Sequence, residues 1–168
     1  ISLERSSFNT LLGNQVNNNY AGISIYVGKK NTLKNNTMTA NKYNFFVGFF
    51  FLEYYIHDID TSNTVDGNPI YYWINRHNQT VPLDAGTVFI VNSSQITVKD
   101  LKLRNNVNGV TLAYTHFSLI ENVTATETNC GINLDHSLHN IVTRNYVTDS
   151  YGAGIGIMDW GFNNVTYN

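Results

Sequence analysis

Few residues of this chain are of a type that does chemistry, and the most suggestive group is Asp135-His136 together with Asp159. A carboxylate beside an imidazole can work as a general acid-base pair or supply ligands to a metal. Counted from Gly131 and Gly154, His136 and Asp159 occupy the same place in two successive repeats, as does Tyr114 counted from Gly109. Stacked repeats bring equivalent residues to about 4.8 Å, within reach of an imidazole–carboxylate hydrogen bond. Asp135, His136 and Asp159 are therefore the candidate catalytic residues; the plainer and favoured reading is a hydrogen-bonded turn ladder without chemistry. His116 and His139 lie nearby in sequence.

Aromatic side chains form the second candidate. Phe49-Phe50-Phe51-Leu52-Glu53-Tyr54-Tyr55-Ile56-His57 and Tyr71-Tyr72-Trp73 are dense enough to stack on sugar rings or to hold a protein partner. Phe50, Tyr54, Tyr55, Tyr72 and Trp73 are the candidate binding residues, with packing into a local satellite core as the alternative, since a long exposed apolar run invites aggregation. For a soft metal such as copper only Met38 and Met158 offer thioethers, and Met158 beside Asp159 and His136 is the one arrangement of interest. Cys130 stands alone, so the chain has neither an internal disulfide nor a C-x-x-C zinc spacing. No metal site or cofactor is expected. N-x-S/T sequons place possible glycosylation at Asn35, Asn78, Asn92, Asn122 and Asn164, close to the number that chance gives in a chain with 26 Asn.

These residues need a frame, and composition narrows it. Only 13% of the residues are charged, the net charge is −2, and asparagine supplies the missing polarity. Phosphate binding requires clustered Lys and Arg, so nucleic acid is not an expected partner. The longest apolar run, Phe45 to Leu52, is far too short to span a bilayer.

The frame itself is a repeat. An apolar-x-x-Asn-x-apolar pattern opens at Leu11, Leu33, Val65 and Val142, and Val98, Ile120 and Val165 complete the series, with steps of 22, 32, 33, 22, 22 and 23 residues. Midway lies a small residue or Asn followed by alternating apolar residues, at Gly22, Asn44, Gly109, Gly131 and Gly154. Alternation at period two, β-branched residues and Asn or Gly at the ends are strand and turn chemistry, with no sustained 3.6-residue rhythm. The expected fold is an all-β, right-handed parallel β-helix of roughly seven coils of about 22 residues, carrying two insertions of about 10 residues near 49–62 and 71–83. Ile132 should stack between Val110 and Ile155, and Asn14 over Asn36 and Asn68. The whole of 1–168 reads as one segment of a longer β-helix, without caps at either end, whose ends could pair with another copy.

The Asn-rich coils resemble the parallel β-helix repeat superfamily, which includes NosD-type domains and carbohydrate-binding proteins and sugar hydrolases. The stretch Asn63-Thr64-Val65-Asp66-Gly67-Asn68-Pro69-Ile70-Tyr71-Tyr72-Trp73, continued by Val81-Pro82, Asp84-Ala85-Gly86 and Val91 to Val98, looks like large archaeal cell-surface β-helix proteins. That resemblance implies an exported, extracellular or cell-surface location. The resulting expectation is a noncatalytic surface scaffold or adhesin-like module that binds glycan or a partner protein. A polysaccharide-acting hydrolase or lyase is the first alternative, although the paired carboxylates of glycoside hydrolysis are missing, and NosD-like copper handling is the second.

Overall fold

The computed structural model describes residues 1–158 and 161–168; Asp159, and with it the expected third member of the His-Asp column, lies outside the described residues. The first coil consists of β1 (Ser2–Glu4), β2 (Thr10–Leu12) and β3 (Gln15–Asn17), and the second of β4 (Ala21–Tyr26), β5 (Thr32–Lys34) and β6 (Thr37–Thr39). The third holds β7 (Tyr43–Gly48), the 3-10 turn η1 (Leu52–Tyr55), β8 (Asp58–Ile59) and β9 (Thr64–Val65). Next come β10 (Asn68–Ile74) and β11 (His77–Thr80), then β12 (Thr87–Val91), β13 (Ser94–Lys99) and β14 (Lys102–Arg104). The last coils are β15 (Asn108–Ala113), β16 (Leu119–Glu121) and β17 (Thr124–Thr126); β18 (Cys130–Asp135), β19 (Ile141–Thr143) and β20 (Tyr146–Thr148); and β21 (Ala153–Met158) with β22 (Asn164–Thr166). This is a β-solenoid of about seven coils of about 22 residues, in which almost every strand runs parallel to its equivalent in the next coil.

The columns are those of the repeat. Leu11 pairs with Leu33, Val98 with Ile120 and then Val142 and Val165, and Ile132 lies between Val110 and Ile155. Asparagines serve the turns between them: Asn36 Oδ1 accepts from the Asn14 backbone N–H at 3.0 Å and from its Nδ2 at 2.8 Å, and Asn36 Nδ2 donates to Asn63 Oδ1 at 2.8 Å. An amide has both donor and acceptor, so one side chain satisfies the coil below and leans on the coil above. Corner residues between strands take left-handed backbone angles, as at Asn35 (φ 55°), Asn105 (φ 56°) and Asn122 (φ 51°), which asparagine tolerates better than most residues.

The register departs from expectation in the middle of the chain. The Asn14–Asn36 column continues to Asn63 rather than Asn68, 27 residues on. Val65 belongs beside Met38 and not in the Leu33 column, whose third member is Ile59. The first expected insertion is a protrusion around η1 between β7 and β8. Residues 71–83 instead lie largely in β10 and β11, which pair in parallel with β12 and β13 at a short, 17-residue step. The long steps seen in sequence are thus one expanded coil followed by one contracted coil.

Between them the stack breaks. Among the described residues β7 forms no ladder with β10. Asp66 (φ 47°) and Gly67 (φ 84°) turn the chain through a tight hairpin, so that β9 pairs antiparallel with β10. Two successive positive φ values are the type I′ geometry that Asp-Gly favours. The free edge of β7 meets the loop before β15, where the Asn44 N–H donates to the Asn105 carbonyl at 2.6 Å and the Val107 N–H to the Phe45 carbonyl at 3.4 Å. The open end of the first stack (β1–β9) therefore abuts the flank of the second (β10–β22). Phe89 is the centre of that contact, edge-on to Phe45 at 5.5 Å and stacked with Tyr72 at 5.5 Å. In β12, Val88 and Ile90 fill the second core while Phe89 and Val91 join the first, and every residue of the strand is buried.

Candidate functional site

The join creates an inside corner. One wall is the outer face of β4 and β7: with Ile23, Ile25, Phe45 and Val47 turned inward, Tyr26 and Phe46 alternate outward, their rings 4.9 Å apart. The protrusion adds Phe49 and Phe50, in edge contact at 4.3 Å, and the far wall is Ile157 and Met158 of β21. Together they enclose a cleft of about 600 Å³, predominantly apolar. Its polar lining includes Asn129 and Asn133, whose side-chain amides make no hydrogen bond to the described residues. Gly156 leaves room beside the recessed Asn133 amide: a Cβ there would stand 3.2 Å from Asn133 Oδ1 and from Cys130 Sγ.

At one end of the cleft sits a buried polar relay. Asp135 ends β18 at 4% exposure, accepting from the Tyr55 hydroxyl on Oδ2 at 2.5 Å and meeting His136 Nδ1 through Oδ1 at 2.7 Å. Burial first, and then the Asp135 charge, push the Tyr55 hydroxyl far above its ordinary range, so it stays a donor. Tyr72, also pushed up by burial, donates to the Tyr55 carbonyl at 2.6 Å. The His136 ring stacks flat on Tyr114 at 4.6 Å, both being left-handed corner residues of adjacent coils, and the Tyr114 hydroxyl reaches the Phe50 carbonyl at 2.9 Å. This relay fastens the protrusion of the first stack to the corner of the second. The contact with Asp135 fixes the orientation of the His136 ring, the part a carboxylate plays beside an imidazole.

Of the residues singled out from sequence, Asp135 and His136 meet each other and Tyr114 stacks on His136, while the expected contact of His136 with Asp159 lies outside the described residues. His116 and His139 belong to a different turn, where His139 stacks between Phe117 and Phe162. Phe50 is exposed at the cleft, Tyr54 is half-buried against Phe51, and Tyr55 is buried with its hydroxyl on Asp135. Tyr72 is a core residue and Trp73 packs half-buried against the second core beside Tyr71, so neither stands on a protruding insertion. Tyr26, Phe46, Asn133 and Ile157 were not singled out; the signal for the first two was an aromatic at an outward position of an otherwise inward-alternating strand. Asn35, Asn78, Asn92, Asn122 and Asn164 are all exposed.

Comparison with known families bears on this geometry. The family model described as periplasmic copper-binding protein (NosD) matches residues 50–168, well over half of the chain and all of the second stack. The chain belongs to the NosD family. No curated protein and no solved structure is detectably similar to it. NosD is a periplasmic family, and no helix of the described residues is long and apolar enough to cross a membrane. Among the described residues of this NosD chain the copper of the family description finds no matching donor set, since no three His, Cys, Asp or Glu side chains converge. Met38 is sealed in the core, Cys130 is buried with its thiol pushed up by burial, and both oxygens of Asp135 are engaged. Met158 and His136 alone are fewer than the several soft or imidazole ligands that copper prefers.

Proposed function

We propose that this NosD-family chain is a noncatalytic β-helix module of the cell envelope or surface that binds a glycan in its corner cleft. The carrying observation is the combination in one cleft of outward-facing aromatic rings with the unengaged amides of Asn129 and Asn133. Aromatic rings offer apolar faces to the C–H faces of a sugar, and amides offer one donor and one acceptor each to its hydroxyls. A protein partner would find the same rings but would have little use for a recessed amide. The Asp135–His136 pair favours the hydrolase or lyase reading, yet Asp135 is committed to Tyr55 and His136 and is buried, which suits a brace better than a reacting acid.

Screening neutral oligosaccharides with the wild type, Phe50→Ala and Tyr26→Ala tests the proposal. Each truncation should weaken binding roughly 3- to 10-fold, the equivalent of about 0.5–1.5 kcal/mol for a stacking ring. Binding without release of new reducing ends is expected. Turnover by the wild type that disappears in His136→Ala would overturn the noncatalytic reading, and saccharide binding unaffected by either ring substitution would remove the cleft from it.

A further inference from the structure

A second depression, of about 410 Å³ and sharing no lining residue with the corner cleft, opens beside the β9–β10 hairpin on the outer face of β14 and β17. Lys102 and Arg104 stand two residues apart on β14, both exposed, with Leu103 between them turned into the core at 2% exposure. Strand register places Lys102 beside Thr124 and Arg104 beside Thr126. The result is a two-by-two patch, two cations over two hydroxyls, with about 4.8 Å between strands and nearly 7 Å along them.

What distinguishes this patch is that two unspent charges stand side by side on one strand; Arg5, Arg76 and Lys99 also lack an ion pair, ring contact or side-chain hydrogen bond among the described residues, but not as such a pair. Lys29 pairs with Glu53 at 3.2 Å, Lys34 with Asp58 at 3.2 Å, and Arg144 with Glu121. Lys30 lies over the Phe8 ring, and Lys42 is caged by Tyr20, Tyr43 and Tyr151. Lys102 and Arg104 have no ion pair, ring or side-chain hydrogen bond among the described residues, and neither do the hydroxyls of Thr124 and Thr126. The one acid on the rim is Asp66. Its carboxylate is spoken for, accepting from the Ala40 N–H, Asn44 Nδ2 and Asn105 Nδ2, each at 3.0 Å, where it braces the join between the stacks.

We infer that this depression is an oxyanion subsite that receives the carboxylate or sulfate groups of an acidic polysaccharide. Arg104 supplies a planar fork that matches either oxyanion in two parallel hydrogen bonds, and Lys102 supplies a point charge one step along the chain of sugars. The threonine hydroxyls complete the set with neutral donors. The inference does not depend on the glycan reading of the corner cleft, because the residues are different and the recognition is ionic.

The test measures binding of the whole chain to polygalacturonate, dextran sulfate, neutral dextran and duplex DNA at low and high salt. Lys102→Ala/Arg104→Ala should reduce binding to polygalacturonate, dextran sulfate or both by tenfold or more at low salt, and Arg104→Lys by less. Phe50→Ala should leave that binding unchanged, and the thermal midpoint of the double variant should match the wild type because both side chains are exposed. The two acidic polymers separate a carboxylate from a sulfate preference. Acidic-polymer binding that is absent in the wild type or undiminished in the double variant would overturn the inference, as would equal affinity for duplex DNA, which would signify general polyelectrolyte attraction.

Discussion

Strands β15, β18 and β21 are consecutive rungs of one sheet, built on the same Gly-apolar-x-apolar pattern from Gly109, Gly131 and Gly154, yet they meet different fates. Every residue of β15 and β18 is buried, while β21 is exposed or half-buried throughout. The first stack covers the outer face of the earlier rungs near β7 and η1; toward β21 that cover recedes and the corner cleft takes its place. β21 is also the end strand of this sheet, so its inward-column residues Ile155 and Ile157 are uncovered along with its outer face, and one strand pattern makes core or open surface according to what lies against it. The inward columns carry the solenoid, and the outer face carries the join and most of the lining of the cleft.

The comparison breaks most severely at the covered end. Phe89→Ala would empty the contact between Phe45 and Tyr72, and chemical denaturation should show a loss of about 3–5 kcal/mol. Met158→Ala on the open rung should cost less than about 1 kcal/mol, the range of an exposed substitution. Similar losses at the two positions would mean that the outer faces are not distinguished as described.

A smaller effect is expected at the relay. Asp135→Ala leaves the buried Tyr55 hydroxyl without its acceptor, at a cost of about 1–3 kcal/mol by the same denaturation measurement. Adding Tyr55→Phe removes the stranded donor and should return part of that loss. A double variant as damaged as the sum of both singles would contradict the direct pairing.

On the open rung, Gly156→Ala sharpens the contrast without unfolding anything. The new methyl group would crowd Asn133, whose amide oxygen must shift by a few tenths of an ångström. Saccharide affinity should fall several-fold in a binding titration, with stability changing by less than about 1 kcal/mol.

The smallest effect concerns pH. His57 replaces asparagine in the Asn9–Asn31 column: its Nδ1 accepts from the Asn31 N–H at 3.2 Å, while Nε2 faces the Tyr54 carbonyl at 3.0 Å. Burial holds the imidazole below its ordinary value of 6.5, since the charged form is poorly solvated there. The unfolded chain then takes up the proton first. The contribution is fully present above pH 6.5 and is lost as pH falls toward and through the folded value. His57→Asn restores an amide to the column, and its thermal midpoint should vary less between pH 7 and pH 5 than that of the wild type.

Much of this architecture was legible. The 22-residue period and the Val98, Ile120, Val142 and Val165 column were readable because inward positions obey one rule throughout. The break between stacks was harder, although two local signals marked it. Val65-Asp66-Gly67-Asn68 is a hairpin turn between strands, and Val88-Phe89-Ile90-Val91 is apolar at outward as well as inward positions, the mark of a strand covered on both faces. Neither signal says which distant segment does the covering. The cleft was invisible for the same reason: Tyr26 and Ile157 are 131 positions apart and meet only because the solenoid turns back on itself. The stacking of Tyr114 on His136 needed nothing beyond the period.

The central claim is that the first stack ends against the flank of the second. It is tested by spin labels on Tyr20→Cys and Tyr151→Cys in a Cys130→Ser background. Both tyrosine rings now lie 5.1 Å from Lys42 Nζ. Dipolar spectroscopy should report a separation below about 20 Å, whereas a single continuous stack would place the two residues about six coils, or roughly 29 Å, apart at 4.8 Å per coil. A distance near 30 Å or longer would contradict the account.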